Sequence, residues 1–152
     1  MNTKFEEMHG YGVLSISELM IAAKIYSECN SLSLRNDALH YAIKKAITFE
    51  ERLSVCICCI GTPLEAESLN WLSEIEPTSM QWYEACKEAE SNTALEKLSI
   101  KGVLADSDMD DSRLLWLMNH STSGNFMSAI MDKMKERYSK YINKDVDDVV
   151  TT

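Results

Sequence analysis

Turn-forming residues are scarce. Five glycines and two prolines serve 152 residues. A β-sandwich or barrel reverses direction about every 8–12 residues and needs more of both. Long apolar runs are also missing. The longest mostly apolar stretch centres on VCICCIG at 55–61, well short of the roughly 20 residues that cross a bilayer. The opening MNTKFEEMHG has no basic run leading into an apolar stretch, so no secretory leader and no membrane association are expected. There is no Gly-rich phosphate loop and no G-x-S-x-G nucleophile elbow. Basic residues are few. Fifteen Lys and Arg face 24 Asp and Glu, a net charge of −9, and nucleic-acid binding needs a basic footprint.

What remains reads as helix. Apolar residues make up 45% of the chain, enough for a core. The reading is all-α: a compact single domain over residues 1–144 of seven to eight short helices, one of them central and buried, with a flexible acidic tail at 145–152. Ser15 and Glu18 fit a capping box for a helix to about residue 29. A second helix is expected over 34–47. Thr48 and Glu51 fit a box for a third, ending at Gly61. Thr62, Pro63 and Glu65 give the clearest start signal, for a helix to about residue 75. Further helices are expected over 80–90 and 93–100, the latter stopping near Gly102. Two more are expected from the aspartates at 106–111 to about 120, and from 123–125 to about 143. The third helix is apolar all round, so Cys56, Ile57 and Ile60 are expected to be fully buried.

The stretch LADSDMDDSRLLW at 104–116 holds Asp106, Asp108, Asp110 and Asp111. An EF-hand wants acids at positions 1, 3 and 5, Gly at 6 and Glu at 12. Counted from Asp106, position 6 is Asp111 and position 12 is Leu117. The turn and the bidentate ligand are both missing. A helix start is the better reading: Asp108 as cap, Asp110 and Asp111 in the first turn against the positive end of the helix dipole, Trp116 and Leu117 inward. Cys56, Cys58 and Cys59 read as core thiols in a reducing cytoplasm, because five cysteines, an odd number, suit secretion poorly. The histidines at 9, 40 and 120 carry no local signature of catalysis or metal binding. No metal, no cofactor and no enzymatic activity are expected. Lys133, Arg137, Lys140 and Lys144 form a basic edge on the last helix, but Asp132 and Glu136 interrupt it, so a solvated face is the reading.

Charge is unevenly placed. Residues 50–111 hold 14 acids and 4 bases, a net of −10, and the remaining 10 acids and 11 bases give +1. Such a field steers a basic partner. The expectation is an acidic binding module that neutralises a basic protein, a toxin immunity protein or antitoxin, with a nuclease toxin as the natural complement. A secretion chaperone or helical adaptor is the alternative, and a small Cys/His enzyme the third reading. The expected partner-binding residues are Glu65, Glu67, Glu74, Glu76, Asp106, Asp108, Asp110 and Asp111. Trp82 and Tyr83 are the expected anchors, because neighbours on a helix cannot easily both face the core. The incomplete calcium loop gives a first prediction. Millimolar calcium should leave the thermal midpoint unmoved relative to sodium at matched ionic strength, and a rise of several degrees would contradict the helix-start reading.

Overall fold

A computed structural model of the chain describes residues 13–90, 93–120 and 127–139. Among them are eight helices and no strand. They are α1 (Ile16–Glu28), α2 (Leu32–Lys45), α3 (Phe49–Cys59), α4 (Glu65–Glu74), α5 (Ser79–Glu88), α6 (Ala94–Leu104), α7 (Asp111–His120) and α8 (127–139). The all-α expectation holds. The chain groups into two compact units, the first ending at Pro77 and the second beginning at Thr78. The expected tail at 145–152 lies outside the described residues.

In the first unit, α1 packs chiefly on α2. Ala38, Ala42 and Ala46 recur every four residues along α2 and its cap and are fully buried. Their small side chains let α1 approach closely with Leu19 and Ala23. Leu39 and Ile43 complete the cluster with Val55 and Cys59 of α3. Trp71 of α4 closes it: its Nε1 donates to the Ala46 carbonyl at 2.9 Å. Arg52 lies 4.4 Å from the centre of the Trp71 ring and donates from Nη1 to the Trp71 carbonyl at 2.6 Å. The guanidinium is thereby fixed by both a cation–π contact and a hydrogen bond.

Both boxes at Ser15–Glu18 and Thr48–Glu51 form reciprocally. A third, Thr78–Gln81, starts α5. The start expected at Thr62 is different. Gly61 ends α3 at φ +78, and the Thr62 hydroxyl then donates to the Cys59 carbonyl at 2.7 Å. The same hydroxyl accepts from the Leu64 N–H at 3.2 Å, and the Thr62 carbonyl accepts from the Glu65 N–H at 3.2 Å, so Thr62 closes a turn rather than a capping box and α4 begins at Glu65 behind it. The buried face of α3 is also narrower than expected. Cys56 is buried, but Ile57 and Ile60 are only half-buried and Cys58 is exposed. Cys58 and Ile60 border a surface groove, so the apolar outer side of this helix is not core.

In the second unit, α5 packs on α6. Gly102 does not end α6; it lies within it. A Cβ there would sit 2.1 Å from Cδ1 of Trp82. The glycine exists so that the indole can lie against the helix. Ile100, Val103, Leu114, Leu117 and Ile130 fill the rest of this core. Ala at an interior helical position normally gains about 1 kcal/mol over Gly. Here overpacking should exceed that, since it destabilises by about 1–3 kcal/mol. Gly102→Ala should therefore lower the urea midpoint at unchanged slope, and a raised midpoint would contradict the packing described.

Candidate functional site

The four aspartates do not converge. Asp106 accepts from the Ser79 hydroxyl at 2.7 Å and from the backbone N–H of Asp108 at 2.9 Å. It folds the loop back on itself and ties it to the start of α5. The Ser79 bond first, then the Asp108 N–H, holds its carboxyl below the usual carboxylate range. Asp110, not Asp108, stands at the head of α7: the Leu114 N–H donates to its carbonyl at 3.2 Å. Its carboxylate accepts from the Ser112 hydroxyl at 2.6 Å and from Arg113. Asp111 accepts from Nη1 of Arg137 at 2.8 Å and from the Tyr138 hydroxyl at 3.2 Å. Arg137 also donates from Nη2 to the Ser107 carbonyl at 2.8 Å, so α8 clamps the loop. Asp108 is exposed and caps nothing. The expectation that it caps fails because the chain turns at Asp106 first, which delays the helix to Asp111.

The glutamates are disposed differently. Glu67, Glu74 and Glu76 are exposed on α4 and just past its end, and Glu65 is half-buried in its first turn. Glu67 lies 3.5 Å from Nδ1 of His40, an ion pair whenever that imidazole is protonated. Glu76 sits at φ +50, a left-handed position that ends the helix. These four carboxylates belong to the first unit, and the other expected contact residues to the second. Residues 50–77 carry 6 acids and 1 base, a net of −5; residues 78–111 carry 8 and 3, again −5.

The two expected anchors separate. Trp82 goes into the core, 8% exposed, and its indole is fixed against Gly102, so it is not available as an exposed anchor. Tyr83 is half-buried and stands edge-on to Trp116, ring centres 5.7 Å apart. The Lys87 ammonium and the Arg113 guanidinium lie 5.2 and 5.5 Å from its centre. Trp116 does not turn fully inward as expected. It is half-buried and stacks on His120 at 4.1 Å, while His120 Nδ1 lies 2.8 Å from the Trp116 carbonyl. The four-residue spacing of Trp116 and His120 was the available signal for this pair. The result is a surface aromatic ladder of Tyr83, Trp116 and His120.

Beside it, a cavity of about 200 Å3 is lined by Cys86, Glu96 and His120 among others. A Cys–His dyad needs a thiol poised to ionise, but burial first, then the nearby Glu96 charge, pushes Cys86 up to about 12. Cys56 and Cys59 stand at C-x-x-C spacing, yet burial pushes them to about 11 and about 12. All five cysteines are free thiols. Among the described residues no three His, Cys, Asp or Glu side chains form a group able to hold a metal ion. None of the described helices is long and apolar enough to cross a membrane. No known protein family, curated protein or solved structure matches the chain.

Asp110 yields a pH prediction. Its carboxyl is lowered from 3.8 to about 2, by the Ser112 hydroxyl first and Arg113 next. Because the folded value is the lower one, this contribution is complete above about pH 4 and is lost as pH falls toward 2. Asp110→Asn should flatten that part of the stability–pH curve, measured by urea unfolding. An unchanged acid slope would contradict the assignment.

Proposed function

We propose that the chain is an acidic protein-binding module that occupies and neutralises a basic partner protein, with a toxin immunity protein or antitoxin as the specific role. The placement of charge carries this reading. Residues 50–111 hold the whole negative excess of the chain, and Glu74, Glu76, Glu88 and Asp108 point into solvent with no ion pair to a described residue. A nuclease toxin, cationic because it must bind phosphates, is the complementary partner. Five free thiols suit a reducing cytoplasm. The ladder of Tyr83 and Trp116 supplies the aromatic type that anchors interfaces, with Arg113 beside it. Glu65 and Glu67 add carboxylates to the first unit, and Asp106, Asp110 and Asp111 belong to the second, where they also hold the loop together. A secretion chaperone or helical adaptor is the second reading. Exposed apolar side chains favour it: Ile21 and Ile25 are 60% and 52% exposed.

The test uses the basic partner captured on the immobilised chain, with association followed by stopped flow. Association should be fast at low salt and slow steeply once the screening length falls to about 8–10 Å. Glu67→Gln, Glu74→Gln, Glu88→Gln and Asp108→Asn together should cut the on-rate several-fold at unchanged melting temperature. Asp106 is left intact because it holds Ser79. Binding that ignores both salt and the four substitutions would leave the charge as a solubility feature only.

A further inference from the structure

The first unit carries a second surface of opposite character. A groove of about 550 Å3 runs between α1, α2 and the end of α3. Met20, Leu39 and Ile60 give it an apolar floor, and Ile21 stands on its lip. Its only charged lining residues are Lys24 and Arg35, and no carboxylate lines it. Neither cation forms an ion pair with a described residue. Arg35 donates from Nε and Nη2 to the neutral Asn36 amide oxygen, at 3.1 and 3.0 Å, so its charge is held in place without being cancelled. In a chain of net charge −9, two uncancelled cations beside an apolar floor form a selective feature.

We propose that this groove docks an amphipathic helix of a partner protein that carries carboxylates along the edge of its apolar ridge. Three arguments favour this occupant. The groove runs along residues of two helices, from Ser17 to Ser27 on α1 and from Arg35 to Leu39 on α2, an elongated bed of the kind that takes the side chains of one helix face. The described residues offer no sheet edge for strand addition, and the groove has neither the aromatic lining that a polyproline segment needs nor an Arg cluster, so helix-in-groove recognition fits best among the common modes. Lys24 and Arg35 attract carboxylates and repel a basic helix, so the groove discriminates by sign as well as by shape. The groove is therefore a separate surface from the acidic stretches, and it does not depend on the role proposed for them.

Cys58 lines the groove and Cys29 is exposed away from it, which gives a position-specific readout. The probes are two fluorescein-labelled helical peptides of about five turns, with Leu at positions i, i+3, i+4 and i+7. One has Glu and the other Lys at the two positions flanking the Leu ridge in each turn, with Ala and Gln, good helix formers, elsewhere. The Glu peptide should bind saturably and at least ten-fold more tightly by anisotropy. It should slow maleimide labelling of Cys58 several-fold and leave Cys29 unaffected. Lys24→Glu with Arg35→Glu should reverse the preference to the Lys peptide. Lys24→Glu alone, a solvent-exposed change, should narrow it without loss of fold. No saturable binding, equal binding of both peptides, or equal protection of both thiols would overturn the proposal. So would Cys58 protection that grows with protein concentration in the absence of peptide, which would assign the groove to a second copy of the chain.

Discussion

Fourteen carboxylates and four cations lie between Glu50 and Asp111, so most of those carboxylates cannot be paired locally, and everything proposed about function depends on how the fold distributes that shortage. Arg52 is committed to Trp71, and Lys87 reaches Glu84 at 3.0 Å. Two further cations come from later in the chain: Arg113 to Asp110 and Arg137 to Asp111. Both go to aspartates at the head of α7, one from within that helix and one from α8. The glutamates of α4 and α5 receive little of this help and remain in water. The ion-paired Asp110 and Asp111 thus serve structure, while Glu74, Glu76, Glu88 and Asp108 project outward.

Packing gives that projected charge a fixed geometry within each unit. A flexible acidic segment would attract cations too, but without selecting among them. In the first unit, the alanine ridge of α2 and the Trp71–Arg52 stack hold α4, and with it Glu67 and Glu74. In the second, the indole of Trp82 against Gly102 locks α5 to α6 and leaves Tyr83 on the outer side, beside Trp116. Both arrangements leave the glutamates on short, well-supported helices. This is the condition under which a charge pattern can be matched by a partner rather than only screened by salt.

Helix starts are legible in the sequence where the capping residue directly precedes the first helical turn. Ser15 and Thr48 cap as expected, their hydroxyls accepting from the N–H three residues on. Thr62 does not, because its hydroxyl and carbonyl close a separate turn with Leu64 and Glu65, which follows Gly61 at φ +78. Gly102 looked like a stop because glycine is a poor helix former, and only the position of Trp82 reveals it as a packing site. Asp108 looked like a cap because the turn made by Asp106 cannot be read from spacing. The charge asymmetry was fully legible, being a matter of counting. Which carboxylates are neutralised was not: Arg137 and Asp111 are 26 residues apart, and no local pattern links them. The groove of the first unit was missed for a related reason, since the apolar outer side of α3 reads as core until its neighbours are placed.

The central claim is that the exposed glutamates and Asp108 carry an uncompensated field while the ion-paired Asp110 and Asp111 do not. It can be measured without knowing the partner, by comparing amide-proton relaxation caused by cationic and anionic nitroxides of the same size. The account predicts that the cationic probe is enriched over the anionic one around Glu67, Glu74, Glu88 and Asp108. The ratio should fall toward one as salt is raised, and should lie closer to one around Asp110 and Asp111, where Arg113 and Arg137 sit. Equal enrichment at the glutamates and at the paired aspartates, or none at either, would contradict it.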